Sequence, residues 1–80
     1  MAMKRTEKLE KRRDLIWACK NMKNQIEQMT KPNTIMWRLS SMESVLKEFE
    51  QSIQMENLGG ASSYKHYKKF CDEKIAEMYT

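Results

Sequence analysis

Apolar residues recur along the chain at intervals of three and four. Leu15, Cys19, Met22, Ile26 and Met29 follow at spacings of 4, 3, 4 and 3, and Ile35, Leu39, Met42, Leu46, Phe49 and Ile53 repeat the series. This coiled-coil-like period places each set on one stripe of an α-helix. Leu9 and Ile16 widen the first stripe, and Met36 and Val45 the second. A looser third set runs Tyr64, Tyr67, Cys71, Ile75 and Met78, with Phe70 and Tyr79 beside it.

Two breaks separate these stripes. At Thr30-Lys31-Pro32-Asn33 the proline lacks a backbone donor and disfavours helix at the residue before it. At Leu58-Gly59-Gly60 the first glycine suits the left-handed position that ends a helix. No glycine or proline interrupts the stretch between. The pattern therefore predicts helices over about 6–30, 34–58 and 63–79. Thr6 with Glu7 and Glu10 suits the first helix start, Asn33 or Thr34 the second cap, and Ser62 or Ser63 the third.

Short connections make neighbouring helices antiparallel. Folding the first helix back on the second sets Met29 near Ile35, Ile26 near Leu39, Met22 near Met42, Cys19 near Leu46 and Leu15 near Phe49. The register closes without a gap. The expected fold is all-α: an antiparallel helical hairpin closed by a shorter third helix, a three-helix bundle forming one domain over residues 1–80.

Size limits what this fold can do alone. A chain of 80 residues buries only roughly 60–65% of its unfolded surface, leaving about 3–5 kcal/mol of net stability. With 40% apolar and 32% charged residues, the composition fits helices with one solvated face. The net charge of +4 is uneven. Residues 1–31 carry nine basic and four acidic side chains, whereas 33–58 carry two basic and four acidic. That asymmetry favours the antiparallel pairing, weakly, since exposed ion pairs contribute about 0–1 kcal/mol each.

Candidate chemistry is sparse. Cys19 and Cys71 stand alone, without a CxxC pair, and both fall on inward stripes where burial raises a thiol pKa. His66 lies five residues before Cys71, on another face, so no metal site forms. Glu48 and Glu50, or Asp72 and Glu73, point apart on a helix, and the Gly59-Gly60 turn has no phosphate-cradling pattern. The expectation is a non-enzyme without cofactor, metal or small-molecule ligand. No apolar run spans a bilayer, and no signal peptide is recognisable. With two unpaired cysteines, the expected location is cytoplasmic or nuclear.

The residues that break the pattern carry the functional reading. At about 100° per residue, Trp17 lies about 160° from Cys19, and Trp37 and Met55 lie about 180° from Leu46. Either the third helix and the hairpin ends cover these side chains, or they anchor an interface. The second reading makes the chain an association module with Trp17, Trp37 and Met55 at the contact. The partner is then a second copy, in a homodimer, or another helical protein. A rival reading is RNA or DNA binding by two basic clusters. Lys8, Lys11, Arg12 and Arg13, with Lys4 and Arg5, form the first; Lys65, Lys68 and Lys69, interleaved with Tyr64 and Tyr67, form the second.

Three stretches also carry a resemblance. Arg12-Arg13-Asp14-Leu15 leading into Asn21-Met22-Lys23-Asn24-Gln25-Ile26 resembles the first helix of the N-terminal helical region of Gag-like polyproteins in BEL/Pao LTR retroelements. Leu39 to Leu46 and Glu48 to Ile53 are similar to its second helix. The aromatic-rich stretch from Tyr67 to Tyr79 echoes its third. The resemblance covers about residues 11–79. It implies a structural role, in a retrotransposon or a domesticated host relative: self-association into particles and packaging of RNA, with no catalytic residue.

Overall fold

Pro32 starts the second helix rather than standing before it. The computed structural model describes residues 4–79, so Met1 and Met3 at the start of the expected domain, and Thr80 at its end, lie outside the described residues. Its helices are α1 (Arg5–Gln28), α2 (Pro32–Met55) and α3 (Ala61–Met78). Pro32 occupies the first turn of α2, where a missing N–H costs nothing and a fixed φ is already helical. Lys31 is extended, as a residue before proline prefers, and acts as the cap. The first bond of α2 runs from the Ile35 amide to the Lys31 carbonyl at 3.1 Å. Thr34, expected as a cap, instead donates its hydroxyl to that same carbonyl at 2.8 Å.

The end of α2 also departs from expectation. The helix stops at Met55, and Asn57 rather than Gly59 takes the left-handed conformation, at φ 51°. Asparagine tolerates that region better than most side chains. The turn sends the Leu58 amide back to the Ser52 carbonyl at 3.3 Å. Leu58 is thereby folded under the helix end and only 4% exposed. Gly60, at φ 106°, then caps α3, which begins at Ala61 before either serine.

The three helices form an up-down-up bundle measuring 44 × 19 × 18 Å. Its core joins Leu15, Cys19 and Ile26 of α1 to Ile35, Leu39, Met42, Leu46 and Phe49 of α2, with Leu58 and Cys71. Both predicted hairpin stripes face inward, although Met22, Met29 and Ile53 remain half-buried. Helix α3 lies against both other helices and buries only Cys71 completely. Tyr64, Tyr67, Ile75 and Met78 stay half-covered because no fourth layer lies over them.

Phe49 marks the junction of all three elements. It is fully buried, and its ring meets Tyr64 of α3 edge-on at 6.0 Å between centroids. The Tyr64 hydroxyl donates to Glu50 at 3.2 Å, so the ring is fixed at both its apolar and polar ends. Among the described residues no helix is long and apolar enough to cross a membrane.

Candidate functional site

The back of α2 presents one continuous line of exposed residues: Trp37, Ser41, Ser44, Glu48, Gln51 and Met55. Their spacing of three and four keeps them on one face, opposite the core stripe. Trp37 is 82% and Met55 85% exposed, and about 27 Å of helix separates them. The hydroxyls of Ser41 and Ser44 donate back to the carbonyls of Trp37 and Ser40, both at 3.3 Å. These serines add only small side chains to the Trp37 half of the line. At its first end, Trp37 borders an open hollow with Met29, Met36 and Arg38.

Trp17 is 65% exposed on the back of α1. Helix α3 therefore covers neither tryptophan, and intramolecular burial does not account for them. The three predicted anchors do not converge on one patch: Trp37 and Met55 share a line, whereas Trp17 belongs to another helix with Arg13 and Lys20 as its exposed neighbours.

The basic residues divide differently from their order in the sequence. Because α1 is antiparallel to α2, its start and the start of α3 lie at the same end of the bundle, so the two clusters approach one another. Several of their charges are already engaged. Lys11 contacts both carboxylate oxygens of Glu56, at 3.1 and 3.2 Å, and ties α1 to the end of α2. Lys68 pairs with Asp72 at 3.0 Å, which raises the lysine pKa, and Lys69 lies 3.9 Å from Glu73. Arg12 lies over the Gly59-Gly60 turn, so close that a Cβ on Gly59 would sit 2.7 Å from its guanidinium. Among the described residues, Lys8, Arg13 and Lys65 have no such partner. Asp14, Glu7, Glu10 and Glu48 border a separate acid-lined hollow between α1 and α2.

The cysteines are buried free thiols, and burial pushes each up to about 11. At neutral pH both are protonated and poor nucleophiles. His66 is exposed and lies against its neighbour Tyr67. Among the described residues, no group of three or more histidine, cysteine, aspartate or glutamate side chains is arranged to hold a metal ion.

Sequence reasoning missed two features of this surface. Arg12 was expected among solvent-facing cations, but its side chain covers the interhelical turn. Its place in the period, three residues before Leu15, was the available signal. Ser41 and Ser44, as small residues between Trp37 and Met55, were legible in the same helical line. No protein-family model, no curated protein and no solved structure matches this chain.

Proposed function

We propose that this domain is a non-catalytic association module whose α2 back face pairs with the same face of a second copy. The observation that carries this reading is the line from Trp37 to Met55, with a large apolar side chain at each exposed end. In an antiparallel two-fold contact centred near Leu46, Trp37 of each copy lies opposite Met55 of the other. Ser41 then faces Gln51, and Ser44 faces Glu48. One symmetric operation removes both apolar ends from water and sets a thioether against an indole, a favourable contact. Each serine leaves room for the longer side chain set against it. No pair of like charges meets along the line.

Burying each side chain contributes roughly 1.5–3 kcal/mol relative to exposure, before the cost of association. Trp17 remains outside this contact and offers a second surface on α1. A different partner bound at that second surface would link such dimers into a larger assembly, in keeping with the particle-forming role that the Gag-like resemblance implies.

Light scattering across a dilution series tests the reading. The parent chain should weigh about two copies at high concentration, with little dependence on salt. Trp37→Gln with Met55→Gln should give a monomer of unchanged helicity. A parent chain that is monomeric at every concentration would overturn the proposal, as would a double variant that dimerises as well as the parent.

A further inference from the structure

At the opposite end of α1, three cations surround a small hollow. Arg5, Lys8 and Arg12 lie on one face of the helix, at spacings of three and four. With Asn57, Leu58 and Gly59 they border a space of about 160 Å³. Among the described residues no carboxylate lines it. Nearby acids are committed elsewhere: Glu56 holds Lys11, and Glu7 accepts the Lys4 amide at 3.4 Å. Among the described residues, Arg5, Lys8 and Arg12 make no ion pair or side-chain hydrogen bond.

Three like charges on one helix face repel one another and favour an anion between them. Arg12 lies over the interhelical turn at the edge of this hollow. Its side chain lies against both glycines, and a Cβ on Gly60 would stand 3.2 Å from its Cδ. Gly60 is also the cap of α3, a helix with neither a side-chain cap bond nor an acid in its first turn. The positive end of that helix therefore adds to the same field. Leu58 closes the base of the space, and the Asn57 amide is a further donor available from α2's terminal turn. At about 30 Å³ per water, the hollow has room for one tetrahedral oxyanion with part of its hydration shell.

We infer that this hollow binds a phosphate dianion or phosphomonoester, with Arg5, Lys8 and Arg12 as its charged donors. Glycines serve here by admitting the arginine, not by forming a phosphate-cradling loop. The site is independent of the α2 contact and involves none of its residues.

The test is an amide-resolved NMR titration of the full chain with inorganic phosphate, chloride being exchanged to hold ionic strength constant. Saturable shifts should be confined to the first two turns of α1 and to residues 57–60. Arg5→Gln with Lys8→Gln, which leaves Arg12 over the turn, should weaken binding by about tenfold per cation removed. Linear shifts without saturation would overturn the site, as would shifts of equal size around Lys65 and Lys69. Equal titration of the double variant would also overturn it. Glycerol phosphate and vesicles of phosphatidylcholine with phosphatidic acid then separate the sources of the phosphomonoester. Saturation by the soluble compound alone assigns a free ligand, and retention on vesicles that the double variant loses assigns a headgroup. An oligonucleotide lacking terminal phosphate that binds as tightly as phosphate would reduce the cluster to diffuse attraction and refute the inference.

Discussion

Replacing either glycine of the α2–α3 turn with alanine adds one methyl group, yet the two changes should differ severalfold in cost. At Gly60 the backbone sits at φ 106°, beyond the left-handed region that L-residues visit. Holding a side chain there costs about 1–3 kcal/mol. The new Cβ would also stand 3.1 Å from the Phe49 ring. That ring is fully buried and set edge-on against Tyr64, so it has little freedom to give way. Alanine restricts the unfolded chain as well, returning about 0.4–1 kcal/mol. The net loss for Gly60→Ala is about 2 kcal/mol, near half of what a domain this small retains. At Gly59 the obstacle is the Arg12 guanidinium at 2.7 Å, the far end of a flexible side chain. Gly59→Ala should displace that group and cost no more than about 0.5 kcal/mol. Urea unfolding followed by circular dichroism measures both at a dilution where the chain is monomeric. Thermal melting should place Gly60→Ala about 10 °C below the parent. Equal losses at the two positions, or a larger loss at Gly59, would refute the assigned turn geometry.

Other outcomes follow from the core and its polar neighbours. Phe49→Ala should cost about 3–5 kcal/mol and leave a largely unfolded chain at room temperature; a cooperative melt close to the parent's would show that Phe49 is not central. Lys11 and Glu56 are each about one-third exposed, with side chains at 29% and 34%. A double-mutant cycle with Lys11→Met and Glu56→Gln should therefore give a coupling of about 0–1 kcal/mol, and a much larger value would mean stronger desolvation than the geometry implies. The thiols of Cys19 and Cys71 are raised by burial from 9.0 to about 11. An acid whose folded pKa is raised stabilises the fold below its unfolded pKa and loses that contribution as pH climbs through the folded value. Tyr64, raised by burial and then by its bond to Glu50, acts in the same direction. Stability should hold from pH 7 to 8 and fall between about 9 and 11. Denaturant midpoints measured across that range, with Cys19→Ala and Cys71→Ala flattening the decline, check it; an undiminished slope in the variants would exclude the thiols as its source.

The helices were legible because each conflict in the chain had a local signature. The 4–3 spacing set the inward faces, and Leu15, Cys19, Ile26, Leu39, Met42, Leu46 and Phe49 are all buried where that period places them. Helix ends were less legible, since Pro32 can precede a helix or begin one, and both choices satisfy its missing donor. The second break contained two glycines, but the left-handed residue of its first turn is Asn57. What selected that turn was the burial of Leu58, a tertiary contact invisible to local pattern. The exposed Trp17, Trp37 and Met55 were foreseeable from angle alone once the core stripe was fixed. The hollow beside Gly59 was not, because it joins residues some fifty positions apart across an interhelical turn.

An odd number of helices gives this bundle a mechanical polarity. Lys4 enters at one end of a body 44 Å long, and Tyr79 leaves at the other. Tension between those two points acts along the helix axes. It slides α1 and α3 past α2 and loads the interlocked rows of side chains together, whereas an even-numbered bundle pulled from adjacent ends would peel open one turn at a time. The Phe49 junction and the Lys11–Glu56 tie both stand at the Lys4 end of that load path, so sliding at that end must break them together.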